Sequence, residues 1–137
     1  MLGELVQLSF DKIMQTHAYT VIILGAPSKR FAIYTDPTIG KILQHYLTEV
    51  KRPRPLTHDL IDQLFKGMDI RIKQVVINDV QDTVYYARLF LEQERGDLRH
   101  IIEIDARPSD CLTIALMNNA PVYCTTEVLN KVIPVQD

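Results

Sequence analysis

The sequence predicts an α+β domain: a mostly antiparallel, twisted sheet in meander order, with three to four helices packed on it. Three observations predict it. Between residues 68 and 105, β-branched runs alternate with polar positions and are broken by short turn signals, the pattern of consecutive antiparallel strands. Residues 36–50 and 57–66 repeat apolar side chains every three or four positions, the period of helices with one buried face. The chain has 137 residues. At that length roughly two-thirds of the unfolded surface can be buried, so a single domain over 1–137 needs no disulfide or structural zinc.

The elements follow in order. Leu5, Val6, Leu8 and Phe10 mark a short first strand over 5–10. Residues 19–24 carry Thr20, Val21, Ile22 and Ile23, a stronger strand, and Gly25-Ala26-Pro27-Ser28 turns it into a hairpin with 30–34. Asp36 caps the next helix and Pro37 fills its first turn, where a missing N–H costs little. Ile39, Ile42, Leu43, Tyr46, Leu47 and Val50 form its apolar stripe. Pro53 and Pro55 end it, and Thr57 is placed to cap a second helix reaching about Lys66, with Leu60, Ile61, Leu64 and Phe65 as its buried face and Gly67 terminating it.

Residues 68–78 return to strand, 79–82 turn, and 84–92 run back with Tyr85, Ala87, Leu89 and Leu91 on one face. Residues 94–97 turn again, and 101–105 form a third strand with Ile102 and Ile104 toward the core. Pro108 opens a helix that Ser109 caps, with Leu112, Ala115 and Leu116 buried and Asn118-Asn119 ending it. Residues 121–124 make a short strand, Thr125 or Thr126 caps a last helix to about Lys131, and 134–137 form a loose tail.

Charge restricts the partners. Fifteen Lys and Arg against seventeen Asp and Glu give a net charge of −2, which excludes a strongly basic nucleic-acid coat protein, since affinity for phosphate backbones comes from neutralising them. Residues 1–54 are net basic and 55–137 net acidic, so the molecule is polarised. The basic run at 51–54 reads either as a solvated linker or as a small anion site. Two isolated cysteines make neither a disulfide framework nor a zinc site, and no stretch has the apolar length of a membrane span or the layout of a signal peptide, so a cytoplasmic setting is expected.

Three polar clusters could carry chemistry. In the first, Arg54 to Asp59, His58 and Asp62 stand four apart on a helix and share a face that could hold a metal, although solvated partners of the helix dipole look the same. In the second, 104–110, Asp105 and Asp110 bracket Arg107; the plain alternative is an ion pair plus capping. The third, Asp79 with Asp82, reads as a hairpin turn. Cys111 is expected to be a small core residue, and Tyr85 and Tyr86 cover a core more readily than they stack on bases.

Three strings, Arg54-Pro55-Leu56-Thr57-His58-Asp59-Leu60, Tyr86-Ala87-Arg88-Leu89 and Ile104-Asp105-Ala106-Arg107-Pro108-Ser109-Asp110, resemble in identity, order and spacing the bifunctional nuclease domain family. The likeness runs from about Val21 to Val128. Some members of that family are described as nucleases acting on both DNA and RNA. Members commonly carry Gly followed by Glu-Ala at the start of the first helix, where this chain reads Asp36-Pro37-Thr38-Ile39-Gly40, and Ala where it has Cys111. Longer members add a C-terminal helical hairpin like that of excision-repair nuclease subunits, which is not expected here.

The resemblance implies hydrolysis of phosphodiester bonds in DNA and RNA, which are expected as weakly and transiently bound single strands. Metal-assisted hydrolysis needs carboxylates on Mg²⁺ or Mn²⁺, a base for water and a cation for phosphate. The expected assignment places Asp59, Asp105 and Asp110 on the metal, His58 on the water, and Arg54 and Arg107 on phosphate. The rival is a non-catalytic anion- or nucleotide-binding module in which the arginines neutralise the acids. Three carboxylates around an open hollow would separate the first from the second. A homo-oligomer, a dimer or higher, is also expected.

Overall fold

The computed structural model describes residues 3–49 and 53–136. Along the chain come β1 (Leu5–Gln15), β2 (Thr20–Gly25), β3 (Arg30–Thr35), α1 (Pro37–Thr48), α2 (Thr57–Gly67), β4 (Ile70–Gln81), β5 (Val84–Arg95), β6 (Leu98–Ala106), α3 (Pro108–Asn118), β7 (Val122–Thr125) and α4 (Thr126–Lys131). The strands form one sheet in the order β3-β2-β1-β7-β4-β5-β6. Every neighbouring pair is antiparallel except β4 with β7, which run parallel. The expected α+β class and the β4-β5-β6 meander are therefore present, in a sheet that is mixed at one seam.

The sheet curls. Phe31 on β3, fully buried, stacks on Tyr85 of β5 with ring centroids 5.9 Å apart, although four strands lie between them in the sheet order. The face they share carries one apolar core: Ile22 and Leu24 from β2, Val75 and Ile77 from β4, and Leu89 and Leu91 from β5 meet Leu43 of α1 and Leu112 of α3. Removing these side chains from water stabilises the fold at roughly 25 cal/mol per Å² of apolar surface, an upper bound because the unfolded chain is already partly collapsed. Tyr85 thus belongs to the core, and only Tyr86 stays exposed.

Local signals set the helix ends, with differences from expectation. Asp36 Oδ1 accepts the Ile39 N–H, as the cap requires. Glu49 and Asn119 close α1 and α3 in the left-handed conformation; Val50 lies outside the described residues. Thr57 is not the cap of α2. It is the first helical residue, Leu56 takes the cap position, and the Asp59 carboxylate reaches back to accept the Leu56 N–H at 2.7 Å. Ser109 is likewise inside α3 and buried, with Arg107 at the cap position. Thr125 Oγ1 accepts the Val128 N–H and caps α4. The tail is tied down, for the Val135 N–H bonds the Arg30 carbonyl on β3.

Burial on α2 also departs from the pattern. Ile61 and Phe65 face the core, but Leu60 and Leu64 are 54% and 53% exposed, because the helix rests on one narrow line that turns His58 inward instead. Ile102 and Ile104 on the outer strand β6 are only partly covered, at 39% and 38% exposure. Strands β1, β4, β5 and β6 run longer than predicted, since pairing extends them through polar residues such as Lys12 and Asp79.

Gly40 marks the closest approach of α1 to the sheet. A Cβ there would strike the buried Thr20 hydroxyl and lie 2.9 Å from Gln15 Oε1 and 3.0 Å from Thr20 Cγ2. Gly40→Ala is expected to destabilise the protein by about 1–3 kcal/mol in urea melts, the overpacking cost outweighing alanine's better helix propensity. Equal or higher stability would show that α1 can move off β2 without loss.

Candidate functional site

The two polar strings of the sequence meet where the start of α2 faces the start of α3. His58, buried at 6% exposure, stands in the first turn of α2, and Asp110 in the first turn of α3. His58 Nε2 and Asp110 Oδ1 are 2.9 Å apart. Arg107 Nε donates to Asp110 Oδ2, also at 2.9 Å. The result is a row, Arg107–Asp110–His58, joining residues 52 positions apart in the chain.

Burial alone would raise the Asp110 pKa, but hydrogen bonds and charge from Arg107 and His58 outweigh it and hold the carboxyl below the ordinary carboxylate range. An ionised carboxylate only accepts hydrogen bonds, so Nε2 of the histidine carries the proton in this contact. In the neutral ring Nδ1 is then a lone-pair acceptor, and it is buried with no hydrogen-bond partner among the described residues. The guanidinium uses Nε on Asp110, and the side chain is 69% exposed.

A hollow of about 570 Å³ opens beside this row. Its wall is apolar, formed by Ile39, Ile61, Phe65, Leu89, Ile104 and Ile114, while Thr57, His58, Arg107 and Asp110 supply the polar side. Cys111 also lines it. Burial, then the nearby negative charges of Asp110 and Asp105, push that thiol up to about 12, and burial pushes Cys124 up to about 11, so neither is a thiolate nucleophile at neutral pH.

The other expected residues lie apart. Asp59 accepts from Tyr46 Oη at 3.0 Å and from the Leu56 N–H, which spends both oxygens on holding α1 and the α2 start together. Asp105 pairs in register with Arg88, on the sheet face opposite Ile104 and Ala106. Asp62 is bound by Lys66 at 2.7 Å and does not share a site with His58. Arg54 is exposed ahead of α2, and Lys51 and Arg52 lie outside the described residues. Asp79 does not form the expected turn: it lies in β4 opposite Tyr86, where it accepts from the Val80 N–H and Gln81, and the hairpin turn is Asp82-Thr83.

Among the described residues no three His, Cys, Asp or Glu side chains gather as a metal-binding set. With Asp110 spent on His58 and Arg107, and Asp105 on the other face, this donor arrangement does not fit Mg²⁺ or Mn²⁺, which want several open oxygens around one point. The residue missed from sequence is no new one; what was missed is the contact between His58 and Asp110, since each string was legible but not their meeting.

The Asp110 shift fixes a pH dependence. The carboxylate stabilises the fold fully above its unfolded pKa, 3.8, and that contribution is lost as pH falls through the lower folded value. The melting-temperature gap between wild type and Asp110→Asn is therefore expected to stay constant from about pH 7 to 5 and to narrow below about pH 4. Thermal melts across that range check it; a gap that grows on acidification would contradict the sign.

A family model described as the bifunctional nuclease domain matches residues 22–135. An uncharacterized protein of Mycobacterium tuberculosis is 40% identical over 80 residues, 58% of this chain and 44% of that protein. Bifunctional nuclease 1 of Oryza sativa subsp. japonica is 28% identical over 82 residues, 60% of this chain and 24% of that protein. Bifunctional nuclease 1 of Arabidopsis thaliana is 25% identical over 96 residues, 70% and 28% of the two chains. The match thus spans less than half the length of these relatives. No helix among the described residues is long and apolar enough to cross a membrane.

Proposed function

The chain belongs to the bifunctional nuclease domain family, and from that premise we propose that it hydrolyses phosphodiester bonds of single-stranded DNA and RNA at the Arg107–Asp110–His58 row. The observation that carries this reading is the buried, unpartnered Nδ1 of a histidine whose other nitrogen is held by a carboxylate. That is the arrangement of an oriented general base. The terminal N–H groups of Arg107 take two phosphate oxygens, and exposed Arg54 extends the phosphate track. The apolar hollow receives one unstacked base, which favours single strands over duplex.

In this mechanism a water enters between His58 and the phosphate. Nδ1 takes its proton as the oxygen attacks phosphorus, the bond from phosphorus to the leaving sugar oxygen breaks, and the imidazolium returns the proton to that oxygen. Asp110 stabilises the transient imidazolium and Arg107 the charge on the phosphate. With few cations and a net charge of −2, binding is weak and release quick.

The test is cleavage of labelled single-stranded DNA and RNA by wild type and Asp110→Asn, purified in parallel, with chelator and with added Mn²⁺. Cleavage by wild type and its loss in the variant are expected in both conditions. Equal activity in the two preparations overturns the reading. Cleavage that needs Mn²⁺ and falls with Asp105→Asn would mark the divalent-ion arrangement instead.

A second reading has its own support: both oxygens of Asp110 and of Asp59 are committed within the chain. It makes the domain a non-catalytic module that holds a nucleotide with its base in the hollow and its phosphate on Arg107. Saturable mononucleotide binding, weakened by Arg107→Ala and without any strand cleavage, would establish it.

A further inference from the structure

The two edges of the sheet are treated differently. At β3 the tail is bonded to the strand through Val135. At the other end β6 has no neighbour beyond it among the described residues, yet it runs nine residues with no bulge and no proline, and its only blunting charges, Arg99, Glu103 and Asp105, are of mixed sign. Leu98, Ile102 and Ile104, on one row of side chains, are 64%, 39% and 38% exposed, and Ile101, on the other, is 47% exposed. A long, unbulged edge with four exposed apolar side chains and charges of both signs is a template for another strand.

Its hydrogen-bonding groups can be assigned. Gly96 and Asp97 form a two-residue turn, so Arg95 and Leu98 exchange both their bonds, as do alternate pairs further along. His100, Ile102 and Ile104 therefore bond β5, and Arg99, Ile101, Glu103 and Asp105 hold their N–H and C=O groups outward.

We propose that β6 pairs antiparallel with β6 of a second copy of this chain, about a two-fold axis normal to the sheet at Ile101. The register is self-complementary. Ile101 meets its own copy, Leu98 meets Ile104, and Arg99 meets Glu103, twice each by symmetry. Within one chain Arg99 already bonds Glu92 at 2.9 Å, and Arg88 stands 3.8 Å from Glu103. Pairing links these into an alternating row, Glu92, Arg99, then Glu103 and Arg88 of the second copy, with Asp105 opposite Asp97 the one like-charged pair at each end. The two sheets become one of fourteen strands, twice the seven of each chain. Ile104 lines the hollow. Leu98 of the second copy therefore comes to stand at its mouth, and each site is walled by the other copy.

The test is the mass of the full chain by sedimentation equilibrium, with Ile101→Pro as the variant. Proline at 101 removes an outward N–H and none of the bonds to β5. Wild type is expected at twice the 15.8 kDa of one chain. The variant is expected at one chain mass with unchanged circular dichroism, its dissociation constant raised at least about 100-fold. If that variant does not fold, Ile101→Lys, which sets two ammonium groups on the axis, is measured instead. Hydrogen exchange reads the same joint: the amides of 99, 101, 103 and 105 are slow in wild type and fast in the variant. A wild type of one chain mass, whatever other strand its edge captures, overturns the proposal. So does a variant that keeps the doubled mass, or fast exchange at those four amides in a two-chain wild type.

Discussion

His58→Gln is expected to lower kcat for cleavage of a single-stranded oligonucleotide by about 10²–10⁴-fold, the range supplied by a positioned general base. The glutamine amide reaches as far as Nε2 and can still donate to Asp110, so the row keeps its shape, but it brings no nitrogen able to take a proton. KM should barely move, because Arg107 and the hollow still bind the strand. Arg107→Ala should do the reverse in part, raising KM by removing the phosphate contact. Steady-state kinetics on the two variants separate these roles. Unchanged kcat in His58→Gln would remove His58 from the chemistry and leave its bond to Asp110 as a structural tie between α2 and α3.

Phe31→Ala is expected to cost about 3–5 kcal/mol of stability, the usual range for deleting a fully buried aromatic ring. For a chain of this size that is a fall of roughly 10–15 °C in melting temperature. Phe31 has no exposed surface and stacks on Tyr85 from the far end of the sheet order. Its loss therefore opens a cavity and also removes the contact that holds the curl. Ile133→Ala, at a position 85% exposed, should change stability by less than about 0.5 kcal/mol. A Phe31 variant as mild as that control would mean that β3 repacks onto β5 through other side chains.

Much of this architecture was legible because local chemistry decided it. Asp36 and Pro37 announce α1, Asn119 ends α3, and the alternation of Ile70, Ile72, Ala87 and Leu89 describes the meander. The misreadings arose where local groups compete. Thr57 has the right oxygen for a cap, but Asp59 has a charged one that reaches the same helix end, and the stronger acceptor won. Leu60 and Leu64 fit a helical stripe, yet a helix resting on a sheet by one line buries Ile61, Phe65 and His58 and leaves its flank out. For the site, residue type and string were readable at Arg107, Asp110 and His58, but not which acid His58 would face. Asp62 is four residues away and Asp110 fifty-two; only the packing of α2 on α3 selects the second. The parallel seam between β4 and β7 had no signal at all, since a four-residue strand carries no record of its neighbours.

That seam sets an order on assembly. Strands β1 to β3 and strands β4 to β6 each pair within themselves, but the sheet is joined only through β7, which lies between β1 and β4. As the chain leaves the ribosome, both hairpin groups can form while Val122 to Thr125 are still unmade. Until those four residues arrive, the first strand and the middle strand each present an open edge at the centre of the future molecule. A nascent or interrupted chain is therefore two sticky half-sheets rather than a partial domain. Until the last strand slots in, those two edges stay open to pairing with other strands.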